Sequence, residues 1–368
     1  MSEPTRRDFL ARLAAGTALT AAGARELRAL VTPLGDEQPA VGARRTAYTN
    51  PVYAGSLPDP SVIRHRGTYY AFGTTGEEHK ADGRAFTVLR SPDLVQWQEL
   101  GGALTPPVHG AGVAYWAPEV VEHEGTFYLY YAVGTPAQER MALRVATSRT
   151  PQGPYTDTGT PLVECTNNQF AIDAHPVRDV DGQWYLFYAR NYPDTDGGFR
   201  PGTGLAMDRL VGMTRLAGEC RTVLRARHDW TLYEANRKMD AYGGRVFDWH
   251  TIEGAFLRRH RGRWYCFYSG ANWQTERYGV DYAVADRITG PFTGAGRSAG
   301  VLTGVAGRVR GPGHHSIVEG PDGRDWVCYH AWNADRSVRQ LCIDPLEWTP
   351  QGPRVRPTTT PQRIGRRG

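Results

Sequence analysis

The chain has 368 residues, of which 40% are hydrophobic and 22% charged, and a formal net charge of +5. That is the composition of an ordinary globular protein, too weakly basic for the electrostatic footprint of a nucleic-acid binder. Five cysteines (Cys165, Cys220, Cys266, Cys328, Cys342) without Cys-x-x-Cys spacing argue against a zinc site or a disulfide framework, and they are expected to be structural thiols.

The first residues read Thr5-Arg-Arg-Asp-Phe-Leu10, then a weakly apolar Ala/Leu/Gly/Thr run, then Ala22-Gly-Ala24. Twin arginines, a short apolar stretch and a small-x-small cleavage site resemble a twin-arginine export signal over residues 1–24. This predicts a protein exported already folded, to the periplasm or beyond, with a mature chain starting near Arg25. That mature chain carries 40 Lys+Arg against 36 Asp+Glu, or +4. Residues 25–45 contain Pro33, Gly35, Pro39 and Gly42 without a sustained period and read as a linker. No later segment approaches the roughly 20 apolar residues of a membrane span.

From residue 46 to 361 one phrase recurs. It reads Gly67-Thr-Tyr-Tyr-Ala-Phe-Gly73, Gly125-Thr-Phe-Tyr-Leu-Tyr-Tyr131, Gly182-Gln-Trp-Tyr-Leu-Phe-Tyr188, Gly262-Arg-Trp-Tyr-Cys-Phe-Tyr268 and Gly323-Arg-Asp-Trp-Val-Cys-Tyr329. A fixed phrase every sixty or so residues, with one longer gap, is the mark of a blade array. An apolar run precedes each glycine, so each copy is a hairpin of antiparallel strands. A second phrase, Leu143-Arg-Val-Ala-Thr-Ser148 leading to Gly153-Pro-Tyr155, recurs as Val280-Asp-Tyr-Ala-Val-Ala285 leading to Gly290-Pro-Phe292. It marks the third and fourth strands of a blade. The expected fold is all-β, a five-bladed propeller of four-stranded antiparallel blades, with residues 362–368 as a tail. The aromatic stripes fill the wedges between blades. The polar stretch 226–241, which lengthens the gap before the fourth copy, is expected to be a loop or short helix. The basic cluster Arg258-Arg-His-Arg-Gly-Arg263 falls on a hairpin turn and faces water.

In a propeller the first strands begin around one mouth of a central channel. Counting back eight or nine residues from each repeat glycine reaches Asp59, Trp116-Ala-Pro-Glu119, Asp173, Glu253 and His314-His315. Three carboxylates facing one pocket split into a proton donor and an ionised partner, because like charges raise one another's pKa. Glycoside hydrolysis needs such a pair.

At these residues the chain resembles glycoside hydrolase family 43. The resemblance runs from about Asn50 to Pro361 through Pro58-Asp-Pro60, Trp116-Ala-Pro-Glu119, Ile172-Asp173, Ile252-Glu-Gly254 and Gly311-Pro-Gly-His-His-Ser316. It departs from the family pattern at Ala174 and Ala255, where proline is commoner. It implies an inverting mechanism with Asp59 as general base, Glu253 as general acid and Asp173 tuning and orienting Glu253. Asp59 and Glu253 should then stand roughly 6.5 to 9.5 Å apart. It further implies that His314 faces a hydrated ion, calcium or another, in the channel, although no cofactor is required, and that Arg339 lies near the pocket. His315 is placed on either the channel or the substrate side. Trp116 and Trp273 are the candidate sugar-binding rings, Trp116 with interblade packing as its alternative, and Glu119 is structural. Tyr242, Asp248, Trp249 and His250 should rim the pocket; they and the group Asn272, Trp273 and Tyr278 are candidates for setting specificity.

The implied activity is removal of terminal α-L-arabinofuranosyl units from plant cell-wall polysaccharide or its oligosaccharides, with no nucleic acid or membrane partner. The alternatives are a β-xylosidase, an endo-arabinanase or a galactosidase on the same scaffold, or a propeller that binds carbohydrate without cleaving it.

Overall fold

A computed structural model describes residues 47–164, 169–294 and 296–364. The export signal, the linker and Cys165 lie outside these residues. Among the described residues there is no α-helix, only strands and four short 3₁₀ turns, and no helix long and apolar enough to cross a membrane.

The chain folds as an all-β, propeller-like ring of antiparallel sheets. The first sheet holds Ser61–His65, Thr68–Gly73, Ala85–Ser91 and Gln98–Leu104; the second holds Ala114–His123, Thr126–Thr135, Arg140–Ser148 and Thr156–Asp157. The third begins with Ala171–Arg178, Trp184–Tyr192 and Gly202–Val211. The fourth holds Ile252–His260, Arg263–Gly270 and Gly279–Ala285, and the fifth Arg310–Glu319, Asp325–Trp332, Arg339–Thr349 and Gly352–Val355. The first strand of each sheet packs on that of the next, and Arg310–Glu319 packs back on Ser61–His65.

Each repeat glycine turns a hairpin. His65 pairs with Thr68, His123 with Thr126 and His260 with Arg263, leaving two-residue turns. Both turn residues have positive φ: Arg66 and Gly67, Glu124 and Gly125, Arg261 and Gly262. This turn follows the twist of the strands, and glycine adopts it without strain. The remaining copies, at Gly182 and Gly323, turn through longer loops between Arg178 and Trp184 and between Glu319 and Asp325.

Side chains alternate along each strand, so neighbours in sequence feed different cores. Tyr130 belongs to the core that holds Leu143 and Phe187, whereas Tyr131 faces the other core, against the rings of Phe86 and Tyr115. Tyr69 joins Trp326 and Leu341 between the first and fifth sheets, and Phe267 joins Val327 and Tyr329 between the fourth and fifth. Each such large apolar side chain, fully buried, contributes about 1.5–3 kcal/mol.

The expected four strands occur in three of the sheets. The fourth sheet stops at three, because the glycine-rich stretch after Gly290 makes only isolated bridges, Val284 with Thr293 and Val280 with Leu302. The third grows to seven strands. Arg215–Leu216 and Arg221–Leu224 pair with Gly202–Val211, and a hairpin of Leu232–Met239 and Arg245–His250 joins through one parallel pair, Gly202 with His250. Half of residues 226–241, expected as a loop or short helix, is therefore strand, Leu232–Met239, flanked by the 3₁₀ turns Asp229–Thr231 and Asp240–Tyr242. The hairpin is held by its own cluster of Met239, Phe247 and Trp249 with Tyr233 and Tyr242.

The ring is closed by the N-terminal segment. The Val52 and Leu57 N–H groups donate to Leu341 and Arg339 carbonyls at 2.9 Å each. The Asn50 amide donates to the Ile343 carbonyl and to Asp344 at 3.0 Å and accepts the Ile343 N–H at 2.9 Å. Ala47–Tyr48 pairs with Gln362–Arg363, so paired structure continues past the expected boundary at Pro361. Cys266, Cys328 and Cys342 are buried free thiols, whereas Cys220 is exposed, within 3.1 Å of the Tyr188 hydroxyl.

Candidate active site

In or just before each first strand stands one residue with φ between 41° and 58° at the mouth of the ring: Asp59, Ala117, Asp173, Gly254 and His314. In the second to fifth sheets the strand register slips at this residue, a β-bulge that turns the backbone toward the axis. The ring positions therefore correspond to these five residues. Glu253 is offset by one from the register expected of it and shares its place with Pro58, Trp116, Ile172 and Gly313. The reason is turn length: Gly262 ends a two-residue turn, so its bulge lies eight residues back, at Gly254 rather than Glu253.

The offset separates the carboxylates by environment. Asp59 lies beside a cation and two histidines: the Arg339 guanidinium donates to its Oδ1 at 2.9 Å, with Nδ1 of His314 and of His330 at 3.5 and 3.4 Å. The Thr74 hydroxyl donates to Oδ2 at 2.7 Å. Burial pushes the Asp59 carboxyl up, but Arg339, then His314 and His330, outweigh it and hold the group well below the usual carboxylate range. Glu253 receives a single hydrogen bond, from the Tyr278 hydroxyl to Oε1 at 2.7 Å. Burial dominates there and, with Asp59 adding to it against Tyr278 and Arg339, raises Glu253 to about 7. Asp173 is raised well above the carboxylate range by burial and by the nearby Glu253 and Asp59. Its Oδ2 accepts the Gly254 N–H at 3.0 Å, which anchors the backbone beside Glu253.

A pocket of about 770 Å³ opens over these groups, lined by Asp59, Asp173, Glu253, Trp116, Trp273 and Arg339 among others. His314 also lines it, with its backbone N–H donating to the Ser269 hydroxyl at 2.8 Å. Arg339 is locked by aromatic rings, its guanidinium 4.4 Å from the Trp273 centroid and 5.7 Å from that of Trp332.

His315, a candidate substrate contact, is not among the residues lining this pocket. It is 4% exposed, packs on Phe256 and Phe267, and is pushed down to about 3 by burial, with His314 and His175 nearby. Of this adjacent pair, His314 lines the pocket while His315 is packed into the interior behind it. Tyr242, Asp248, Trp249 and His250 do not line the pocket either; Trp249 is buried in the hairpin cluster and His250 pairs with Thr231. Glu119 meets His175 in the channel below.

The hydrated ion implied at His314 fits these residues poorly. Asp173, Glu253 and His314 bring one donor atom each within 4.8 Å of one another, whereas calcium takes six to eight oxygens. The axial cavity beneath, lined by Asp59, Glu119, Asp173, His314 and His315, has about 10 Å³, room for roughly one water and not for a hydrated cation.

Thr74, Ser269 and His330 are functional neighbours that counting back from the glycines does not reach. The Asp59 N–H donates to Nδ1 of His330 at 3.1 Å. Each of the three stands seven residues after its repeat glycine, so counting forward along the same phrase finds them. Tyr278 lies outside any such count; its ring stacks on His330, with centroids 5.8 Å apart and planes 2° from parallel.

Residues 48–353 match the description "Glycosyl hydrolases family 43". A β-D-galactofuranosidase of Aspergillus niger is 27% identical, over 83% of this chain and 84% of its own length. An extracellular exo-α-(1→5)-L-arabinofuranosidase of Cellvibrio japonicus is 27% identical over 80% and 84%. An extracellular endo-α-(1→5)-L-arabinanase of Bacillus subtilis is 25% identical over 80% and 85%. The crystal structure of a thermostable family-43 glycoside hydrolase superposes with a TM-score of 0.72 at 28% identity, covering 86% of this chain and 98% of the other. The chain belongs to glycosyl hydrolases family 43 and is a glycoside hydrolase.

Proposed function

We propose that the protein removes terminal α-L-arabinofuranosyl units from arabinan or arabinose-containing oligosaccharides with inversion, Asp59 acting as general base and Glu253 as general acid. The observation that carries the roles is the opposite environment of two carboxylates in one pocket. Asp59, among Arg339, His314 and His330, is ionised at neutral pH; Glu253, near 7, keeps its proton through much of the mildly acidic range. Asp59 takes a proton from a water whose oxygen attacks the anomeric carbon. The glycosidic C–O bond breaks as Glu253 gives its proton to the leaving oxygen. Solvent then restores both groups. Asp173 orients Glu253 by holding the backbone beside it.

The substrate reading is supported by the arabinose-active relatives. A second reading, a galactofuranosidase, is favoured by the Aspergillus relative, whose substrate shares the five-membered ring. The endo-arabinanase reading has the Bacillus subtilis relative in its favour, the β-xylosidase reading rests on likeness of fold alone, and the purely binding reading has no separate observation. We also read each of the main sheets as one blade, five in all, and the protein as exported, in line with its extracellular relatives.

The test is Asp59→Asn and Glu253→Gln beside wild type on aryl α-L-arabinofuranoside, linear arabinan, aryl β-xyloside and aryl β-galactofuranoside. The expected result is cleavage of the arabinofuranoside by wild type and a fall in kcat of about a hundredfold or more in each variant, with binding retained. Wild-type turnover in either variant removes that residue from the mechanism. Cleavage of only the xyloside or galactofuranoside overturns the sugar assignment.

A further inference from the structure

The catalytic carboxylates account for only part of the pocket lining. The rest of it extends over the first sheet, where Tyr53, Glu78, His79, Lys80 and Glu99 form its wall. We infer that this outer lobe binds a second, neutral sugar unit of an oligosaccharide, with Lys80 and Glu99 taking its hydroxyls beside the ring of Tyr53. The inference rests on the glycosidase reading above and adds which side chains hold the unit beside the one being cleaved.

The lobe is a built surface. Gly76 and Tyr115 exchange backbone hydrogen bonds of 3.2 and 2.8 Å, tying the start of the loop to the second sheet. The Asp82 carboxylate takes the N–H groups of Arg84 and Gly102 at 3.0 Å each, tying its end to the strand that begins at Gln98. The Lys80 N–H donates to the Arg84 carbonyl at 2.8 Å, and the His79 ring packs edge-on against Tyr115 with centroids 5.8 Å apart. A wall fixed in advance loses little freedom when a ligand arrives.

Its chemistry suits a sugar. Glu99 accepts the Tyr53 hydroxyl at 2.6 Å and pairs with Lys80, yet the side chains of Lys80 and Glu99 remain 27% and 35% exposed. An ammonium has three N–H donors and a carboxylate about four acceptor sites, so both keep capacity for hydroxyl groups. Burial raises the Glu99 carboxyl, but Lys80 and Tyr53 outweigh it and lower the group, which stays ionised. The charges of the pair cancel and Glu78 adds a further carboxylate, which argues for a neutral sugar over a uronic acid. Tyr53 supplies an aromatic surface beside the pair. The pocket, at about 770 Å³, has room for more than a single sugar ring.

The pair is a small contributor to folding, since partly exposed ion pairs contribute about 0–1 kcal/mol. Glu99→Ala and Lys80→Ala should therefore fold, which thermal unfolding checks. Both variants and wild type are assayed on 4-nitrophenyl α-L-arabinofuranoside and α-1,5-arabinotriose, with the matching galactofuranosyl and xylosyl pairs in parallel. The comparison is made on whichever pair wild type cleaves, so a wrong sugar assignment shows in wild type and not in the variants. The expected result is a loss of about tenfold in kcat/KM on the trisaccharide, mostly through KM, with the aryl glycoside within twofold of wild type. Equal losses on both substrates, or no loss on either, overturn the inference. Lys80→Arg should recover part of the trisaccharide activity.

Discussion

The phenol of Tyr278 donates to Oε1 of Glu253 at 2.7 Å while its ring lies parallel to His330, the residue that accepts the Asp59 N–H. One side chain thus touches the acid directly and the base through a single neighbour. Gly313 makes room for it, since a Cβ there would overlap the Tyr278 ring. The hydrogen bond occupies Oε1, which leaves Oε2 to carry the proton that goes to the leaving oxygen.

Tyr278→Phe tests this contact through the pH profile. The Tyr278 bond stabilises the ionised form and so lowers the Glu253 pKa. Wild-type kcat/KM should fall as pH rises through about 7, where Glu253 loses its proton. Without the phenol the carboxyl rises, and the alkaline limb should move up by about one pH unit. Asp59, Asp173, His314 and Arg339 also face Glu253 and are unchanged in the variant. A limb that stays in place would mean that Tyr278 only packs.

Arg339→Ala should act on the opposite limb. Burial raises Asp59 and Arg339 is the largest force against it, so removing the guanidinium raises the base. The acid limb of kcat/KM should move to higher pH by about one unit or more, with a large fall in rate at the optimum. Arg339→Lys should restore part of the shift, because the charge remains while the planar fit between Trp273 and Trp332 is lost.

His315→Leu should leave KM within twofold of wild type on aryl arabinofuranoside, because the ring packs on Phe256 and Phe267 outside the pocket lining. A tenfold rise in KM would return His315 to the substrate side.

Asn50→Ala tests ring closure. It removes the side chain that bonds Ile343 in both directions and leaves those backbone groups unpaired. The expected cost is about 1–3 kcal/mol, read as a lower thermal unfolding midpoint with unchanged KM. An unchanged midpoint would show that the pairing of Val52 and Leu57 suffices.

The glycine-aromatic phrase settled the hairpins and the alternation of core side chains, because turn conformation and strand period are local properties of a few residues. It also led to Asp59, Asp173 and His314, since a bulge at fixed distance from a turn is a matter of counting. The family followed from the same motifs. Three features escaped. The hairpin at 232–250 carries a polar outer face, and its apolar partners meet only once Tyr233, Phe247 and Trp249 collapse together. The lobe around Glu99 joins Tyr53, Lys80 and Glu99, which are far apart in sequence and unremarkable singly. The third is the physical ground for the division of labour, which the family resemblance implied without supplying. In the sequence Asp59 and Glu253 are two carboxylates counted back from two glycines. Only the ring sets Asp59 against the Arg339 guanidinium and buries Glu253 with a single phenol for a partner, and this contrast between a neighbouring cation and dominant burial is what supports reading one as the base and the other as the acid.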